Sequence, residues 1–303
     1  MVYQPRLETP VYIGNPGSLG IGVFAGGYMG SNTAHVDRYL FATGALSTGL
    51  SLLTPRRGCT GISSNTTAFF AGGMVSTYTA QNDRYSFATQ AFVTGAVLSV
   101  ARSYSAGAGN NYKGIIASGY ALAGYVLMSD AYDYATDTMA VGTSLGRSRY
   151  YAAGFGNLTT GVIAGGLVAA KSTYVDRYDY AANTVSEGTA LTVSMDGPCG
   201  ASTVSRGIVV GSSGSAFLNF TCIYDILANT MGSGAALSAQ LAHRSATGDG
   251  TMAVIAGGYG ATSPFYSAIT DMYEYATEAQ TRGASLGQAR RFAGSAGDSH
   301  GGL

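Results

Sequence analysis

The stretch VFAGGYMGSNTAHVDRYLF, Val23 to Phe41, decides how the rest of the chain is read. An apolar run ends in the glycine pair Gly26-Gly27, a polar loop follows, and Asp37-Arg38-Tyr39 opens an alternating segment. Glycine-rich turns cradle phosphates when a helix follows. They also stand where one backbone passes close to another. Recurrence separates the two readings, because a phosphate loop occurs once and a structural device occurs in every unit.

The tract recurs. VFAGG, FFAGG, IIASG, VIAGG, IVVGS and VIAGG place Ala25, Ala71, Ala117, Ala164, Val210 and Ala256, at intervals of 46, 46, 47, 46 and 46 by subtraction. A second anchor keeps step: Tyr39, Tyr85, Tyr132, Tyr178, Tyr224 and Tyr273, at intervals of 46, 47, 46, 46 and 49. A third is an arginine after a Leu-containing strand, at Arg57, Arg102, Arg149, Arg244 and Arg291, with Met195-Asp196 in the remaining slot.

Each period reads as four short strands. In the third, SYSAGAG (103–109) is small and extended, and Asn110-Asn111 suits a turn. GIIASGY (114–120) is apolar, and DAYDYA (130–135) alternates, putting Asp130, Tyr132 and Tyr134 on one face. A turn at 136–138 leads into MAVGTSL (139–145). No helical stripe of useful length interrupts the pattern. Four strands per repeat at this period predict an all-β fold, a β-propeller.

On these residues the chain resembles kelch repeats. The carriers are the glycine pairs Gly26-Gly27, Gly72-Gly73, Gly165-Gly166 and Gly257-Gly258. With them go Tyr132-Asp133, Tyr178-Asp179, Tyr224-Asp225 and Tyr273-Glu274, and the arginine ahead of the next strand. The chain departs from that family in having no tryptophan, which a kelch repeat carries after its Tyr-Asp strand. In texture, segments such as VDRYDYAANTVSEGTAL (175–191) are similar to the Gly/Ala/Thr/Tyr-rich kelch-like arrays of bacteriophage fibre and tail proteins.

The pattern begins at GIGVFAGG with a second strand and ends at ARRFAGSAGDSHGG (289–302) with a first strand. Joining the two fragments completes one blade. The expectation is a six-bladed kelch-like β-propeller of four-stranded blades over 20–303, closed by the C-terminal strand beside the first N-terminal strand, which removes open edges. The smallest-residue tracts, SYSAGAG, YAAGFG, SATGDG and FAGSAG, are expected innermost, with Tyr, Phe, Leu and Val of the outer strands filling the wider wedge. Residues 1–19, punctuated by Pro5, Pro10 and Pro16, read as an extended N-terminal arm. Its residues Val2, Tyr3, Val11, Tyr12 and Ile13 suit strapping to a partner.

Composition bounds the chemistry. Sixteen basic and sixteen acidic residues cancel among 303, and charged residues are 11% of the chain. That lies far below the usual ~25%. No basic stripe marks a nucleic-acid partner, and no apolar run is long enough to span a bilayer. MVYQPRLETP lacks the layout of a signal peptide, so folding in a cytoplasm is expected. Cys59, Cys199 and Cys222 are scattered and read as buried small hydrophobes.

The nearest approach to a phosphate loop, GGLVAAKS (165–172), has Ala170 where glycine is required, and no helix follows. The recurring Asp37, Asp83, Asp130, Asp176 and Asp271 could ring a cation, or the repeated arginines an anion, but pairing of aspartate with arginine or with turns is the favoured expectation. His35, His243 and His300 lie in different repeat contexts without ligand spacing, and glutamate is scarce. No catalytic set, cofactor or metal site is expected.

The loops between second and third strands vary most and gather on one face. Each carries an aromatic residue: Tyr28, Tyr78, Tyr125, Tyr174, Phe217 and Tyr266. Such rings on a rigid scaffold can stack on sugars or dock a protein, or they can pack onto neighbouring loops. The family likeness and this texture lead to the expectation of a non-enzymatic virion module, a phage tail or fibre component. It would be tied to other virion proteins by Tyr3, Pro5, Val11, Tyr12 and Ile13 and would meet a host-surface glycan or protein through the loop face. A cellular kelch-like scaffold and a glycan-active propeller enzyme are the alternatives.

Overall fold

A computed structural model describes residues 20–212 and 217–297. The expected arm at 1–19 lies outside them. The described chain is all strand and turn, and it forms six four-stranded antiparallel sheets plus one two-stranded ribbon. The sheets are the blades of a β-propeller. Blade one consists of Gly294–Gly297, Ile21–Ala25, Val36–Leu40 and Ala45–Thr48, in that spatial order. The ring therefore closes as the sequence predicts. Ala25 pairs with Gly294, Phe24 with Ser295, Val23 with Ala296 and Gly22 with Gly297.

In blade three the strands are Ala106–Gly109, Lys113–Ala117, Ser129–Asp133 and Thr138–Val141, so the order is as expected and the ends are shorter. Asp130, Tyr132 and Tyr134 are buried together while Ala131 and Asp133 are half-exposed, matching the alternation. The loop of this blade adds the short ribbon Tyr120–Ala121 with Gly124–Tyr125, which periodicity did not indicate.

The innermost strands lie side by side around the axis: Thr60–Ser63, Ala106–Gly109, Ala153–Gly156, Cys199–Ser202, Ser245–Gly248 and Gly294–Gly297. Small residues are required there because backbones abut. A Cβ on Gly61 would lie 1.9 Å from the Ser295 carbonyl oxygen, and one on Gly154 would lie 2.2 Å from that of Gly107. The expectation for the wedge needs correcting. Second strands such as Ile21–Ala25 and Thr67–Ala71 are buried at every residue, and the third strands bury their tyrosines. The fourth strands, such as Thr184–Glu187, face solvent. Blades splay apart at the rim, so the outermost strand has no neighbouring sheet to pack against.

The recurring aspartates are structural. Arg56 pairs with Asp83 (3.2 Å), Arg102 with Asp130 (2.8 Å), Arg149 with Asp176 (2.8 Å), Arg244 with Asp271 (2.5 Å) and Arg290 with Asp37 (2.6 Å), all buried. In every case the guanidinium also donates to a second-strand carbonyl, Phe70, Ile116, Ile163, Ile255 or Phe24; four of the five use the second terminal nitrogen for this, and Arg102 uses the one that pairs with Asp130. The arginine anchors at 57 and 291 are thereby corrected by one residue, because in each Arg-Arg doublet the first member turns inward. Blade five substitutes both partners. Met195 takes the place of the arginine, and Cys222, facing Val209, takes the register position of the aspartate; both are fully buried. An apolar pair there avoids leaving one charge buried alone.

The glycine pairs act as crossings. Gly26 and Gly27 have φ of +67° and +119°. The Gly27 amide donates to the Arg56 carbonyl (2.9 Å), and Gly73, Gly166 and Gly258 donate likewise to Arg102, Met195 and Arg290. A Cβ on Gly27 would approach the Arg291 carbonyl to 2.8 Å. The second amide of each pair is engaged by the linker into the next blade and the first by its own blade, as Gly26 is by the His35 carbonyl, so neither is left to cradle a phosphate.

Candidate functional site: the axial mouth and its loop face

Each linker enters its blade through one residue just ahead of the innermost strand: Gly58, Tyr104, Tyr151, Gly197, His243 and Phe292. All six have left-handed φ, between 54° and 68°. For non-glycine residues that conformation is uncommon and carries a cost. The geometry is maintained by a closed circle of backbone hydrogen bonds. Tyr104 donates to Gly58, Tyr151 to Tyr104, Gly197 to Tyr151, His243 to Gly197, Phe292 to His243 and Gly58 to Phe292, at 2.8–3.2 Å.

The side chains of this circle converge on the axis. Tyr151 stacks on Phe292 (centroids 5.4 Å, 10°), although the two lie three steps apart in the ring of six. Tyr104 meets both, at 4.5 and 5.1 Å, and His243 packs on Phe292 (4.4 Å) and Tyr151 (5.0 Å). The two glycines make room. A Cβ at Gly58 would lie 2.4 Å from the Tyr104 ring and one at Gly197 would lie 2.2 Å from His243 Nδ1. Four rings thus plug one end of the axial channel. The channel itself holds cavities of about 130 and 110 Å³ walled by the innermost strands. Those are well below the roughly 300–1,000 Å³ of ligand sites.

The plug sets its own electrostatics. Burial, with the Arg291 guanidinium nearby, lowers the His243 imidazole to about 3, so it is neutral, and its Nδ1 is buried with no hydrogen-bond partner. Burial also raises the Tyr151 and Tyr150 hydroxyls above the usual tyrosine range. None of these groups is poised for proton transfer near neutral pH.

Around the plug lie further rings in two groups, on the face of the second-to-third-strand loops. Four of the six expected loop aromatics join them directly. Tyr28 meets Tyr266 (6.0 Å) and Tyr266 meets Tyr259 (5.8 Å). Tyr78 reaches Tyr120 (6.0 Å), which contacts Tyr125 (5.3 Å) and Tyr150 (5.4 Å), and Tyr150 abuts the plug at Tyr151 (4.4 Å). Phe217 reaches the edge of the group at Tyr259 (6.1 Å). Tyr174 stands apart, lying under the guanidinium of Arg147 (4.2 Å). Most of these rings are half-buried against neighbouring loops; Tyr125 and Phe265 are each 46% exposed.

Sequence reading missed the plug and Tyr120, Tyr150 and Tyr259. The available signal was phase, since Tyr104, Tyr151, His243 and Phe292 all precede a small-residue strand. It was hidden because two of the six positions are glycine and because SYSAGAG and YAAGFG read as small tracts.

Two arginines complete the mouth. Arg57 lies over Tyr28 (4.7 Å) and donates to Tyr104 Oη (3.2 Å) and Asn32 Oδ1 (2.9 Å). Arg291 lies over Tyr259 (4.3 Å) and Phe292 (4.7 Å), with Tyr28 and Tyr266 just under 6 Å away, at 5.8 and 5.9 Å. Beside it, between the loops of blades five and six, runs a groove of about 980 Å³ walled by Phe217, Leu218, Leu241, Pro264 and Tyr266. No set of three or more metal-ligating side chains gathers among the described residues. No protein-family model matches the chain, and no curated protein matches it either.

Proposed function

We propose that the protein is a non-enzymatic binding module of the kelch kind, serving in a phage tail or fibre and recognising a surface saccharide through its loop face. The observation that carries this reading is the aromatic surface over a plugged axial mouth, two groups of rings bridged by Arg57 and Arg291. The plug leaves no deep catalytic cleft at the place where the six blades converge. The surface offers flat rings with hydroxyl edges, which suit stacking on sugar faces with hydrogen bonds at the rim. Its histidine is neutral and its tyrosine hydroxyls are held protonated, which suits binding better than acid–base chemistry. The Gly/Ala/Thr/Tyr texture of the repeats supports the virion setting.

A glycan array probed with the full chain tests recognition. Binding that is lost in Tyr28→Ser/Tyr266→Ser, with unchanged thermal unfolding, is the expected result. An array with no face-dependent binding contradicts the saccharide reading. Detection of the protein in purified particles tests the virion setting, and its absence from them contradicts that setting.

A further inference from the structure

We infer that the groove between blades five and six, together with Arg291 beyond its Tyr266 wall, binds a saccharide that carries a carboxylate. The inference rests on the binding-module reading above and names the ligand class.

Three observations converge. First, Arg291 is a cation without a counter-ion. Among the described residues its guanidinium meets no carboxylate and makes no side-chain hydrogen bond, and its Nε is buried without a partner. The buried arginines of the blades contrast with it, since each has an aspartate. A guanidinium is never uncharged near neutrality, and one held among aromatic faces is partly desolvated and pre-oriented, which favours an anionic partner. Second, the position is chosen by the fold. Arg290 turns inward to Asp37, and the next residue is bridged to Tyr28 in both directions (Tyr28 amide to Arg291 carbonyl 2.8 Å; Arg291 amide to Tyr28 carbonyl 3.1 Å). The backbone is thereby held at the mouth, where the guanidinium lies over Tyr259 and Phe292. Third, Tyr266 belongs to both features: it walls the groove and lies 5.9 Å from the Arg291 guanidinium. A ligand that runs along the groove and over the Tyr266 ring therefore comes within reach of the Arg291 guanidinium, which lies beside the groove and does not line it.

The groove is about 980 Å³, room for more than one sugar ring, and its walls combine aromatic faces with Gln240, Thr262 and Ser263, which can meet hydroxyl groups. Guanidinium and carboxylate match as a planar fork. Around the mouth the residues just ahead of the plug are Arg57, Ser103, Tyr150, Asp196, Ala242 and Arg291. Arg57 is next to Arg291 in this circle, and Asp196 stands three steps from Arg57, on the opposite side. The charge pattern directs a carboxylate toward the Arg57–Arg291 side.

The test is calorimetric titration of the full chain with a glucuronate- or sialate-terminated oligosaccharide, beside its methyl ester and the neutral sugar. A charge-assisted contact of this kind predicts binding of the acid about tenfold or more tighter than of the ester. The same loss is expected in Arg291→Gln, with unchanged thermal unfolding, and weakening in high salt is expected. Should Arg291→Gln fold poorly, the acid-to-ester ratio on the unaltered protein decides the matter. Equal binding of acid, ester and neutral sugar, abolished by Tyr266→Ser, overturns the inference while leaving the binding-module reading intact. Acid-selective binding that ignores Arg291→Gln overturns the site. Binding of a carboxylate-terminated peptide in preference to every sugar overturns the ligand class. Absence of all saccharide binding overturns both readings.

Discussion

Met195 and Cys222 show at single-residue scale how the blades are held. Four linkers bring in an arginine at 56, 102, 149 and 290, and Arg244 reaches the equivalent aspartate from a shifted position. Only the fifth blade uses an apolar pair. Arg149→Met alone, which strands Asp176, is expected to cost about 3–5 kcal/mol. Arg149→Met/Asp176→Cys, which copies blade five, is expected to recover most of that loss. A double-mutant cycle by urea denaturation measures the coupling, and additive losses contradict it. His243 supplies a second prediction. Its folded value of about 3 lies below its ordinary 6.5, so the unfolded chain binds more protons between those values. Its contribution is fully present above pH 6.5 and is lost as pH falls toward 3, and His243→Phe should flatten that part of the stability profile. Burial raises the Cys59 thiol and pushes Cys199 up to about 12. With Cys222 also buried, a thiol reagent at pH 8 should label none of the three until the protein unfolds. At this scale the pairing of Asp with Arg was legible from shared rhythm. Which member of Arg56-Arg57 or Arg290-Arg291 turns inward was not, because identical side chains differ there only in burial.

At the scale of elements, the linkers do more than connect blades. Their left-handed residues close a backbone ring, and their side chains close the channel. Gly58 and Gly197 are the positions where this depends on having no side chain. Gly197→Ala combines a φ of +68° with a Cβ 2.2 Å from His243, so a loss of about 2–4 kcal/mol and a displaced plug are expected. Gly30→Ala is the control: its φ is +102°, but nothing lies within 4 Å, so only backbone strain of about 1–2 kcal/mol should appear. Equal effects in thermal unfolding contradict the packing explanation. Strand order was readable because buried second strands are apolar throughout and third strands alternate. The gathering of loop aromatics was readable only in part. Sequence placed them on one face, but ring-to-ring contact depends on loop paths, which are not periodic. Tyr174 therefore left the group for Arg147, while Tyr120, Tyr150 and Tyr259 entered it unannounced.

For the whole molecule, a rhythm of 46 to 49 residues made the ring legible, and the incomplete repeats at either end indicated how it closes. The candidate site was less legible, because it is built where repeats differ: the plug has two glycines, and the mouth has Arg291, which meets no carboxylate among the described residues, where other blades place Ser103 or Ala242. Symmetry sets the scaffold, and departures from it set the face available for binding. The central structural claim is that Gly294–Gly297 completes the blade begun by Ile21–Ala25. Removing residues 294–303 exposes the edge of Ile21–Ala25 and breaks the circle of innermost strands. Calorimetry with light scattering on that truncation is the most direct measurement. A large fall in Tm, together with concentration-dependent association through the open edge, is expected. An unchanged Tm in a monodisperse truncated protein would contradict that closure.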